Sequence, residues 1–172
     1  MVNFSGGIFH VNNNLTEDEK VDLSVFIVKL FLEKRIYMKF DENISKWDYE
    51  ELNRYLSNYS KINSCIKYVL TDNPLVGEVR LLFAPDSYTY TLNGKTFKNI
   101  NTLSNKIKNL SYIFRTILNK LKVYEITFLM VNEWDGENKK INIRIEDFEY
   151  TMLGLFNKDG ETDGDIIINI KQ

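Results

Sequence analysis

The side chains able to do chemistry are few and scattered. His10 is the only histidine and Cys65 the only cysteine of the chain. An imidazole near its ordinary pKa can act as a general base. No Gly-x-Ser-x-Gly elbow accompanies this one, and the sole thiol lies far from it in sequence. His10 therefore reads as a solvent-facing or hydrogen-bonded strand residue, and Cys65 as a small core residue with no resolving partner. One cysteine and one histidine also leave no disulfide framework and no Cys/His zinc cage.

Carboxylates offer the next candidate. Asp159, Glu161, Asp163 and Asp165 alternate within seven residues, with Gly164 and Ile166 placed as in a calcium-binding loop. Oxygen-rich loops of this kind suit a hard cation. The twelfth position is Ile170, where a bidentate Glu is needed, and no helix follows. The segment is better read as a turn whose carboxylates cap backbone groups and blunt an edge strand. Its acidic side chains could instead meet a basic partner. A nuclease-like set drawn from Pro85-Asp86 and Glu137-Asn-Lys139 is rejected, because the gap is long and its second half lies in an expected turn. There is no P-loop and no GxGxxG.

Charge is segregated along the chain. From Ser87 to Tyr124 there are seven basic residues (Lys95, Lys98, Lys106, Lys108, Arg115, Lys120 and Lys122) and no acidic one. Residues 1–86 carry ten basic and thirteen acidic side chains, and residues 125–172 five and eleven. Lys108, Arg115 and Lys122 are spaced by seven. On a helix they fall within about 40° of one another, flanked by Ser111 and Asn119. Such a row suits an acidic partner or a phosphate backbone, although charged rows more often serve as solvated faces. No RNP aromatics, GxxG loop or zinc finger is present. Tyr88 and Tyr90 alternate on one strand face and Trp134 sits at an expected hairpin tip. These are residue types favoured at interfaces, and equally ones that fold back over a core.

The elements that would position these residues follow from periodicity. A strand over Val2–Val11 carries a bend or bulge at Gly6-Gly7. Thr16 and Glu19 make a capping box for a helix over Glu17–Lys34. Its apolar residues lie on two faces (Val21, Val25, Val28, Leu32 and Leu23, Phe26, Ile27, Leu30, Phe31), which predicts burial between layers. A short strand over Arg35–Phe40 and an aromatic second helix over Lys46–Tyr59, capped by Ser45, come next. Ile62–Leu70 fits helix or strand, and Val76–Ala84 fits a strand. Ser87–Lys98 is a hairpin about Asn93-Gly94, which supplies the positive φ of a type I′ turn. A third helix spans about Leu103 to Leu121, with Leu103, Ile107, Leu110, Phe114, Ile117 and Leu121 at alternating steps of four and three. Val123–Asn132 and Lys140–Glu146 read as a hairpin, with Ile141, Ile143 and Ile145 facing inward. Phe148–Phe156 reads as a strand or edge, and Asp165–Lys171 as a final strand.

That order predicts an α+β fold in a single domain, residues 1–172, with a largely antiparallel sheet and about three packed helices. The 172 residues, 44% hydrophobic and 27% charged, suffice for one core. The longest apolar stretch, Leu23–Leu32, is ten residues and contains Lys29, too short to span a bilayer. The N-terminus makes a poor secretory signal. These features point to a cytoplasmic protein from a bacterium or phage, with no cofactor and no metal. They point further to a non-catalytic protein-binding module, an immunity, antitoxin or inhibitor protein with one cognate protein partner such as a toxin. Its candidate contact residues are Lys108, Arg115, Lys122, Trp134, Asp159, Glu161 and Asp163. The alternatives are a nucleic-acid-associated protein using the basic third helix, and a carboxylate- or metal-dependent enzyme.

Overall fold

A computed structural model describes residues 2–11, 15–34, 37–40, 65–71, 90–92, 95–97, 100–120, 122–132, 138–156 and 164–172. The expected second helix over 46–59 and the expected strand over 76–84 lie outside these residues. The described part is α+β. Six strands form one sheet: β1 (Val2–Val11), β2 (Tyr37–Phe40), β3 (Cys65–Thr71), β6 (Val123–Asn132), β7 (Lys139–Arg144) and β8 (Ile166–Lys171), in the order β2-β3-β1-β6-β8-β7. Two further strands, β4 (Tyr90–Leu92) and β5 (Lys95–Phe97), pair with each other. Their register sets Leu92 opposite Lys95, as a two-residue Asn-Gly connection demands.

Three helices are described: α1 (Glu17–Glu33), α2 (Ile100–Lys120) and α3 (Phe148–Leu155). The capping box at the start of α1 is present. Glu19 N donates to Thr16 Oγ1 at 3.2 Å, and Thr16 N donates to Glu19 Oε2 at 3.0 Å. Two otherwise orphaned backbone donors are thereby satisfied. On α2 the spacing of four and three places Ile107, Leu110, Phe114 and Ile117 in the core. Phe114 is the hub, with ring centroids 6.3 Å from Phe31 of α1, 5.7 Å from Phe128 of β6 and 5.4 Å from Phe148 of α3. All three contacts are edge-on, the arrangement that ring quadrupoles favour.

Every neighbouring strand pair is antiparallel except β7 and β8, which are parallel. This corrects two expectations together. Lys139–Arg144 does not return along β6 as a hairpin, because β8 lies between them. Residues 148–155 are a helix rather than a strand. The two corrections share one cause: parallel neighbours need a crossover, normally helical. Here the 3-10 turn Ile145–Asp147 and α3 supply it. Phe148 and Met152, four residues apart and both buried, form the inward stripe of α3. The final strand is consequently internal, between β6 and β7. Gly164, just ahead of β8, has φ 73°, a left-handed conformation that glycine adopts without a Cβ penalty.

β1 runs unbroken through Gly6 and Gly7. The irregularities in its pairing with β6 fall between Val2 and Phe4 and between His10 and Val11. On the helix-covered face the sheet contributes Phe9, Val11, Ile126, Phe128, Met130, Ile166, Ile168 and Ile170 to the core. On the other face Ile8, His10, Thr127, Leu129 and Ile167 are buried as well. The central strands are thus enclosed on both sides.

Candidate functional site

Two surfaces of the described structure break the ordinary rule of apolar inside and polar outside. The first is the outer face of α1. Val21, Val25 and Leu32 lie within about 40° of one another around the helix, and they are 60%, 48% and 47% exposed. The expectation that α1 is buried between two layers is therefore corrected. Leu23, Ile27, Leu30 and Phe31 are buried, whereas the valine face is open. The sequence showed two apolar faces. One has a core to meet, and the other meets solvent.

α2 lies beside α1 in the opposite direction. Lys122, just past the end of α2, has its Nζ 3.7 Å from Glu19 Oε1 at the start of α1. Lys34, at the end of α1, has its Nζ 4.9 Å from the ring centroid of Tyr112, a cation–π arrangement. Tyr112 is 54% exposed. Lys108 and Arg115 are also exposed and lie within about 20° of each other on α2. Among the described residues neither is held in an ion pair. An apolar row, an exposed tyrosine and two uncompensated cations thus occupy the outward side of one helical pair.

The other is a polar row that runs from the buried His10 and Thr127 through the half-buried Asn169 to the exposed Asn142. His10 is 1% exposed. Its Nε2 lies 2.7 Å from Thr127 Oγ1. The Thr127 hydroxyl donates to Asn169 Oδ1 at 2.9 Å, and Asn169 Nδ2 donates to Asn142 Oδ1 at 2.9 Å. The row crosses four strands, β1, β6, β8 and β7, because Thr127 stands opposite Asn169 and Asn169 opposite Asn142. A hydroxyl that gives its one proton to Asn169 must accept from His10, which assigns the Nε2–H tautomer. Nδ1 is then a bare acceptor, and it has no hydrogen-bond partner among the described residues. Burial pushes the imidazole pKa below its ordinary 6.5, nearby Glu125 opposes this, and Lys171 adds to it. His10 is therefore neutral at pH 7. Glu125 is itself engaged by Lys171, Oε2 to Nζ at 3.5 Å.

The structure also brings His10 and Cys65 together in register, directly opposite each other on β1 and β3. Sequence distance had kept them apart, and strand pairing removes that distance. The described residues hold no group of three or more His, Cys, Asp or Glu side chains arranged for a metal ion.

The charged row changes composition. Lys108 and Arg115 share the outer face of α2, but the helix ends at Lys120, so Lys122 is not part of the helical row. It points to Glu19 instead. Ser111, expected at the solvated margin, is buried. The other candidate contacts, Trp134, Asp159, Glu161 and Asp163, and the tyrosine pair's Tyr88, lie outside the described residues. What the sequence reading missed was the open valine face. Its signal was present, since a helix with two apolar faces needs two coverings and the chain guarantees only one.

No helix among the described residues is long and apolar enough to cross a membrane. The class these observations define is an α+β fold with a six-stranded mixed sheet, a separate two-stranded pair and an open helical pair. Comparison with protein-family models, with curated proteins and with solved structures returns no match.

Proposed function

We propose that this chain is a non-catalytic protein-binding module, of the immunity, antitoxin or inhibitor kind, that engages one cognate protein through the outward side of α1 and α2. The observation that carries this reading is the open row Val21, Val25 and Leu32 beside Tyr112, Lys108 and Arg115. Apolar side chains exposed singly need no explanation, but a contiguous row rimmed by charge is the usual makeup of a protein contact. Tyrosine and arginine are the residue types that anchor such contacts. Lys108 and Arg115, which hold no ion pair among the described residues, would steer an acidic partner and fix its register.

The nucleic-acid reading is weaker on this geometry. With Lys122 turned to Glu19, two cations remain on the outer face of α2, and α1 beside them carries the exposed carboxylates Asp18, Asp22 and Glu33 against the one exposed Lys29. Phosphate binding rests on several cations acting together.

The test is affinity capture from native lysate at moderate salt, comparing the native chain with Val21→Asp/Val25→Asp. The expected result is one stoichiometric protein that survives nuclease and chelator and is lost from the variant. Nucleic acid in the eluate, or no specific protein at all, would overturn the reading.

A further inference from the structure

The open row has edges of opposite sign. Around α1, Asp18, Asp22 and Glu33 are exposed and lie about 140–200° from Phe31, with the exposed Lys29 among them, so the edge is acidic by three charges to one. Phe31 is the residue that packs on Phe114 of α2, so this acidic edge is turned away from α2. Beyond the row, on the α2 side, stand Lys108 and Arg115. A helix laid over the row must therefore present an apolar stripe, and it must carry acidic residues along the edge that comes over α2. That describes α1 itself. Val21, Val25 and Leu32 form the stripe, and Asp18, Asp22 and Glu33 form the edge.

Resting on the binding reading above, we propose that in the absence of its cognate protein this surface is covered by a second copy of the chain. α1 packs on α1 about a two-fold axis that runs along the helices. Such an axis sets each copy's acidic edge over the other's Lys108 and Arg115. An axis across the helices would oppose like charges and is disfavoured. Two-fold pairing through one self-complementary patch is the commonest form of association between identical chains. The cognate protein then competes with the second copy, and capture requires the pair to separate.

Sedimentation equilibrium of the full chain at low ionic strength, over a wide concentration range, tests this. A reversible monomer–dimer equilibrium is expected, weakened about tenfold or more by Val25→Asp with circular dichroism unchanged. The decisive arm uses two charge variants. Lys108→Glu/Arg115→Glu sets acid over acid when it pairs with itself, and Asp22→Lys/Glu33→Lys sets base over base. Each is expected to be monomeric alone, while an equimolar mixture forms a heterodimer in which both edges match. A native chain that stays monomeric at every concentration would overturn the proposal, as would a dimer indifferent to Val25→Asp or a mixture that fails to associate. A monomer that still captures one protein from lysate would remove the self-docking alone. A dimer that captures none would remove the cognate partner alone.

Discussion

A polar row starts in the interior of this molecule, at His10 and Thr127, and an apolar row lies outside it. His10, Thr127, Asn169 and Asn142 cross the sheet from its enclosed centre towards the β7 edge. Val21, Val25 and Leu32 face solvent along α1. Both violate the usual partition of side chains, but they do so with different consequences. A buried polar group is tolerated when it finds partners, and each link of the inner row supplies one to the next. The inner row is therefore satisfied by the chain itself, with one exception at His10 Nδ1. The outer row is satisfied by nothing in the described structure. The inner anomaly explains how the sheet is specified, whereas the outer one is turned to solvent and carries the functional reading.

The contrast breaks hardest at Thr127. Thr127→Val keeps the shape and removes the hydroxyl that serves two neighbours at once. It leaves the His10 Nε2–H without its acceptor and Asn169 Oδ1 without this donor. The buried His10 N–H left unsatisfied costs about 1–3 kcal/mol, so a loss in that range is expected in urea unfolding. A loss below about 1 kcal/mol would show that water reaches the row and that it is not a structural relay.

The row was invisible in the sequence for a plain reason. Its links join residues 117, 42 and 27 positions apart. Nothing in the local pattern around His10 distinguishes a histidine that will meet Thr127 from one that will meet solvent. Local signals fared better. The Thr16–Glu19 box, the stripe from Ile107 to Ile117 and the Asn-Gly hairpin are short-range devices, and all three elements formed where the residues placed them. The order of β7 and β8 failed because a turn-rich segment between two strands resembles a hairpin whether or not a later strand inserts. Tyr and Thr within Phe148–Leu155 also favour a strand locally. The need for a crossover between parallel strands overrode them. At the candidate surface, Lys108 and Arg115 were legible from spacing alone, and Lys122 was not, because a helix end shifts by a residue or two.

Acid sharpens the comparison from the inner side. The pKa of His10 is lowered in the folded protein, chiefly by burial. The unfolded chain therefore binds the proton more readily. The stability at stake is fully present above the ordinary value of 6.5 and is lost as pH falls towards the lowered folded pKa. Within that window the slope contributed by one such proton is at most about 1.4 kcal/mol per pH unit. Thermal midpoints measured from pH 7.5 downward should fall in the native chain, and the fall between pH 6.5 and the carboxylate range should shrink in His10→Gln. Equal slopes in the two proteins would mean that His10 titrates alike in both states and is less enclosed than its burial implies.

The smallest effect separates the two rows most directly. Val25→Asp should change the stability of the monomer by no more than about 0.5 kcal/mol, as for other exposed positions away from special features. Valine and aspartate differ little in helix propensity, so the backbone term nearly cancels. The new carboxylate stands three residues from Asp22 and four from Lys29, so its repulsion and attraction offset as well. Nothing inside the fold depends on this methyl pair, whereas everything docked on the row does. A stability loss of about 2 kcal/mol or more, read by chemical denaturation at a concentration low enough to keep the chain monomeric, would mean that Val25 is packed within the monomer after all. The apolar row would then belong to the core, the asymmetry between the two rows would vanish, and the helical pair would lose its claim to be a contact surface.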